Sequence, residues 1–154
     1  MLQDFKDLLS AFHAHNVKYL VVGGYAVSFH AQPRTTKVLD LFIQPNSANA
    51  KATYAALASF GAPLSAFTPD DFADTRKFVR FGNEPVAIDL LPTIDGVIFD
   101  DAWQRRVEAV IDSQTGQTAY FISKSDLVAP KLAAGRTRDL ADVEEISKVP
   151  TEPK

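Results

Sequence analysis

Leu2, Phe5, Leu8, Leu9 and Phe12 recur at three- and four-residue intervals, the stripe of an amphipathic helix, and Asn16 stands where that helix should stop. The period then shortens. Val17, Tyr19, Leu20, Val21 and Val22 form a β-rich run ended by Gly23-Gly24, which predicts a buried strand. A short helix over 25–30 begins at the double glycine and is limited by Pro33. Residues 35–43 read as a second strand closed by Gln44-Pro45-Asn46, and Ser47 is placed to cap an alanine-rich helix ended by Gly61. Thr68-Pro69 opens a helical turn. Segments 77–81 and 86–91 alternate on either side of a turn at 82–85, the pattern of a hairpin. A helix over 99–106 surrounds Trp103, and strands are predicted near 107–111 and 118–122 with a turn at 113–116. Ser123 or Ser125 caps the next helix, which ends near Gly135, and a polar helix follows over 138–148. This order predicts an α+β fold, a small mixed sheet flanked by helices, as a single domain over 1–149 with a tail at 150–154.

Composition narrows the chemistry. The 154 residues, 46% of them apolar, suffice for one domain with a real core. The chain has no cysteine, which removes disulfides, thiolate metal sites and cysteine nucleophiles, and suits a reducing cytoplasm. A net charge of −3 argues against non-specific coating of nucleic acid, while leaving room for a locally basic pocket that holds one nucleotide or one RNA end. The N-terminus carries acids in an amphipathic pattern, unlike a signal peptide, and no apolar run approaches the roughly 18 residues of a membrane span. The expectation is a cytoplasmic protein with no membrane partner.

Three features carry chemistry. A glycine pair between strand and helix allows a tight turn and brings bare N–H groups at a helix start close to an anion; it also serves as an ordinary turn. In the strand over 35–43, Val38, Asp40 and Phe42 share one face, and Leu39, Leu41 and Ile43 the other. An aspartate flanked by leucines is costly in a strand unless paired, hydrated or bound to a cation. Asp89, in Val86-Ala87-Ile88-Asp89-Leu90-Leu91, repeats the oddity. Two such carboxylates on neighbouring strands can share a hard divalent cation through oxygen ligands; a salt bridge or an exposed edge accounts for either one singly.

With these segments in this order, the chain resembles the polymerase-β-like nucleotidyltransferase superfamily, most closely its small bacterial branch related to AbiEii-type toxins. The resemblance rests on LVVGGYAVSFHAQPRTTKVLDLFI at 20–43, IDLLPTIDG at 88–96 and the segment from Lys131 to Asp142, and spans about residues 17–146. It implies that Gly23 and Gly24 contact the phosphates of a nucleoside triphosphate. It implies that Asp40 and Asp89 are the catalytic carboxylates and hold Mg²⁺ (or Mn²⁺), with Asp89 also orienting or deprotonating an acceptor hydroxyl. Lys131 and Arg136 would offset triphosphate charge, with Arg34 or Lys37 beside the entrance, and Asp139 would help hold the nucleotide-facing segment. One position departs from the pattern. The first metal carboxylate of this superfamily would stand at 38, and this chain has Val38. An isopropyl group ligates nothing, so metal binding is expected to be weak.

The resemblance therefore implies Mg²⁺-dependent transfer of a nucleoside monophosphate from a triphosphate to a hydroxyl on a small molecule, a protein or an RNA end. The alternative is a catalytically inactive nucleotide-binding module, or an interaction protein with a cognate toxin or antitoxin partner. His13, His15 and His30 have no metal-ligand spacing and are expected in surface or capping roles. Ser28 lacks the surroundings of a nucleophile, and Trp103 is expected on the apolar face of its helix.

Overall fold

The computed structural model describes residues 1–31, 36–83, 86–134 and 137–148, with backbone alone at 131–134, 137–140, 142 and 148. Helix α1 (Gln3–Ala14) buries Phe5, Leu8, Leu9 and Phe12 completely, as their spacing requires. Asn16 then turns the chain with a positive φ of 55°. Strand β1 (Tyr19–Val22) is buried along its whole length and runs directly into α2 (Gly23–His30). Strand β2 (Val38–Ile43) and α3 (Ser47–Phe60) follow, and Gly61 closes α3 in the left-handed region. A 3₁₀ turn at Pro69–Ala73 carries the capping box of Thr68 and Asp71, and leads to β3 (Val79–Asn83) and β4 (Val86–Leu91). The remainder is α4 (Phe99–Gln104), β5 (Val107–Asp112), β6 (Gln117–Phe121), α5 (Lys124–Ala134) and α6 (Thr137–Lys148).

The six strands form one mixed sheet in the order β3-β4-β2-β1-β6-β5. An antiparallel pair, β1 and β2, occupies the centre. Each flank is a hairpin joined to that centre through a parallel contact, β4 on β2 and β6 on β1. The predicted α+β architecture is therefore observed. Leu39, Leu41 and Ile43 on one face of β2 enter a core shared with Val21, Ile88 and Leu90, whereas Phe42 on the opposite face packs edge-on to Phe99 of α4. No helix among the described residues is long and apolar enough to cross a membrane.

Several local expectations change. The cap of α3 is Asn46, not Ser47: Asn46 keeps an extended backbone and its Oδ1 accepts the Asn49 N–H at 2.8 Å, while Ser47 is already helical. The strands begin at Tyr19 and Val38, later than their apolar runs suggest. Ser123 rather than Ser125 caps α5, accepting the Asp126 N–H at 3.2 Å. Of the histidines expected in surface or capping roles, His30 is buried and His13 is half-buried. His30 donates from Nε2 to the Ile122 carbonyl at 2.8 Å, tying the end of α2 to the residue after β6. His13 shares a 2.5 Å hydrogen bond with the buried Tyr19 hydroxyl. Burial pushes both imidazoles below their ordinary pKa. Trp103 stacks on Phe99 and carries the Arg106 guanidinium on its face, 4.0 Å from the ring centre.

Candidate functional site

The antiparallel register of β1 and β2 sets Val22 opposite Asp40, so the residue that follows Val22 must pass over the aspartate side chain. That residue is Gly23, with φ of +65°. A Cβ there would overlap Asp40 Oδ2 outright and lie 2.8 Å from its Cγ. Glycine is thus required twice, by the backbone conformation and by contact with the carboxylate. At Gly24 a Cβ would come within 2.9 Å of Thr36 Cγ2, so Thr36 closes the other side of the turn. The Tyr25 hydroxyl donates to the Thr36 carbonyl at 3.4 Å.

Asp40 stands level with Asp89 in the parallel pairing of β2 and β4, and Asp89 stands level with Arg80 in the antiparallel pairing of β4 and β3. Register partners share a face, so three ionisable groups form one row across three strands. Arg80 grips Asp89 bidentately, Nε donating to Oδ1 at 2.6 Å and Nη2 to Oδ2 at 2.8 Å. Asp89 is 5% exposed, while the Arg80 side chain on the edge strand is 48% exposed. The neighbouring row on the same face is Val38, Ala87 and Gly82, an uncharged strip beside the charged one.

Burial pushes the Asp40 carboxyl up to about 6; the Asp89 charge and a hydrogen bond to Asp89 act in the same direction, and Arg80 partly opposes them. Asp40 therefore holds its proton more tightly folded than unfolded, and stability falls as pH rises through the window from about 4 to 6. Discounted for the solvent that still reaches the group, the cost of the ionised form is about 1–2 kcal/mol. Asp40→Asn should consequently be more stable than the parent at pH 7.5 by that amount and indistinguishable from it near pH 4, in paired urea titrations. A variant no more stable at pH 7.5 would contradict the strained-carboxylate picture.

Gly23, Gly24, Asp40 and Asp89 thus come together at one end of β1 and β2. Lys37 is exposed just before β2, and its carbonyl accepts the Ala87 N–H at 3.5 Å. Arg34 and Arg136 lie outside the described residues, as do the side chains of Lys131, Asp139 and Asp142. Arg80 was not anticipated. The signal was present in the hairpin: strands ending at Asn83 and beginning again at Val86 pair 83 with 86 and hence 80 with 89.

The described residues do not fit the two divalent cations that metal-dependent phosphoryl transfer requires. No cluster of three or more His, Cys, Asp or Glu converges among them. Val38 offers no ligand, and both oxygens of Asp89 are engaged by Arg80.

Residues 2–149 match the family described as "Nucleotidyltransferase of unknown function (DUF6036)", and the chain belongs to that family. Among curated proteins none matches its sequence. Its fold is similar to that of the lincosamide antibiotic adenylyltransferase LnuA, crystallised with lincomycin bound, with a TM-score of 0.62 at 14% identity over 97% of this chain and 98% of the other. It is also similar to an antigenic nucleotidyltransferase-like protein from Paracoccidioides brasiliensis, with a TM-score of 0.56 at 16% identity over 96% of this chain and 76% of the other. These likenesses establish the nucleotidyltransferase fold; they do not single out the toxin-related branch.

Proposed function

We propose that this member of the family binds a nucleoside triphosphate against the Gly23-Gly24 turn and that its class of reaction is transfer of the nucleoside monophosphate to a hydroxyl. In that reaction the acceptor oxygen bonds to the α-phosphorus, the bond from that phosphorus to the β-bridging oxygen breaks, and pyrophosphate leaves. The observation that carries the reading is the seating of Gly23 directly on Asp40, which opens α2 with bare backbone beside a carboxylate row. Gly23 and Gly24 are half-buried rather than sealed, and a helix start of this kind offers its first N–H groups to phosphate oxygens.

Of the three acceptor classes, a small molecule is the best supported. The likeness to an adenylyltransferase of an antibiotic runs the full length of both chains, and the net charge of −3 disfavours RNA. No observation favours a toxin or antitoxin partner. Turnover is the weaker half of the reading, because the described residues lack a third carboxylate and Asp89 is already paired. As it stands the chain is a better nucleotide binder than catalyst.

Thermal melts with ATP, GTP, CTP and UTP, each with and without Mg²⁺ or Mn²⁺, test this directly. A triphosphate at 100-fold its Kd stabilises the native state by about 2.7 kcal/mol, which corresponds to a shift of roughly 5–10 °C at this size. At least one nucleotide should produce that shift, and Gly24→Val should abolish it by driving a branched side chain against Thr36. If none of the four shifts the parent, nucleotide binding is excluded.

A further inference from the structure

We propose that Arg80 takes the place of a metal at the Asp40–Asp89 pair, holding Asp89 from the edge strand and keeping divalent cations out. An aspartate that is 5% exposed among apolar neighbours needs a counter-charge, and a cation on its open side would normally supply it. Here both oxygens already face guanidinium N–H groups at 2.6 and 2.8 Å, in the planar fork geometry that suits a carboxylate best. A divalent ion would have to evict that fork or share Asp89 with it, a poor bargain for Mg²⁺, which demands near-octahedral oxygen ligation and gives up its waters reluctantly.

Arg80 is also placed so that it can leave. It lies on β3, the edge strand, with about half its side chain in solvent, and the next residue on its face is Gly82, which has no side chain to trap it. The row Asp40, Asp89 and Arg80 carries a formal charge of −1 rather than the −2 of the bare carboxylates, a field less hostile to an arriving triphosphate. Cation exclusion and nucleotide binding are separate properties, since the first needs only the carboxylate row.

The test is a titration of the full chain with Mn²⁺ alone, followed by electron paramagnetic resonance at pH 7.5 without nucleotide. Arg80→Gln should bind Mn²⁺ at least tenfold more tightly than the parent, and the gain should vanish in the Arg80→Gln/Asp89→Asn double variant. Arg80→Lys, which keeps the charge but loses the bidentate fork, should fall between the two and serves where the glutamine variant does not fold. Unchanged Mn²⁺ affinity in Arg80→Gln, or in Arg80→Lys where that variant must stand in, would overturn the assignment. A gain that survives Asp89→Asn would overturn it too. The nucleotide melts give an independent readout, so failure here leaves nucleotide binding standing, and the reverse.

Discussion

Val38→Asp is expected to tighten Mn²⁺ binding at least tenfold and to raise nucleotidyl transfer on the order of 100-fold over the parent, an effect equivalent to about 2.7 kcal/mol of transition-state stabilisation. The argument is positional. Val38 lies two residues before Asp40 on the same strand face, level with Ala87 and, beyond it, Gly82. A carboxylate introduced there stands beside Asp40 on β2 and supplies two adjacent acids that Arg80 does not hold, where the native chain has Asp40 alone because Asp89 is gripped by Arg80. Before metal arrives, a third negative charge joins a pair whose Asp40 is already pushed up to about 6, so the variant should melt several degrees below the parent. Added Mn²⁺ should recover the loss. Loss without recovery, together with unchanged transfer of a labelled nucleotide, would show that position 38 does not face the carboxylates in a productive way.

Gly23→Ala carries the second large effect, and it is structural before it is functional. Alanine at φ +65° costs roughly 1–2 kcal/mol from the left-handed backbone alone. Its methyl would also overlap Asp40 Oδ2, and Asp40 cannot retreat freely because Asp89 and Arg80 stand beside it. A total destabilisation of about 3–4 kcal/mol is expected, or a drop in Tm of roughly 10 °C. The steric share can be isolated. Adding Asp40→Gly removes the atoms that are struck, so the double variant should cost less than the sum of the singles, a coupling that denaturant titrations of the four proteins would measure. A Gly23→Ala protein as stable as the parent would mean that the turn is not seated on Asp40.

Much of this site could be read from the chain because its parts break local rules. Asp40 and Asp89 are acids in runs of leucine and isoleucine, and Gly23-Gly24 interrupts a strand at the point where a helix begins; each is an exception to a pattern that neighbouring residues obey. Amphipathic spacing likewise located α1 and its four buried residues. Arg80 breaks no rule. An arginine in an alternating, half-exposed strand looks like any solvated side chain, and only the pairing of β3 with β4 makes it the partner of Asp89. His30 escapes notice for a related reason: its partner is the Ile122 carbonyl, 92 residues along the chain, a contact with no local signature. The cap of α3 turned on one residue, because Asn46 and Ser47 are both competent caps and only the backbone decides which is extended.

The hairpin also determines how the buried acid reaches the interior. Arg80 and Asp89 are nine residues apart and meet through one local turn, whereas Asp40 joins them from a strand almost fifty residues earlier. Closing a short loop is entropically cheaper than closing a long one, so the local ion pair is the less costly of the two contacts to form. Asp89 meets β2 as half of a neutral pair instead of a naked anion. Desolvation falls on a dipole, and within this row the charge left over is that of Asp40.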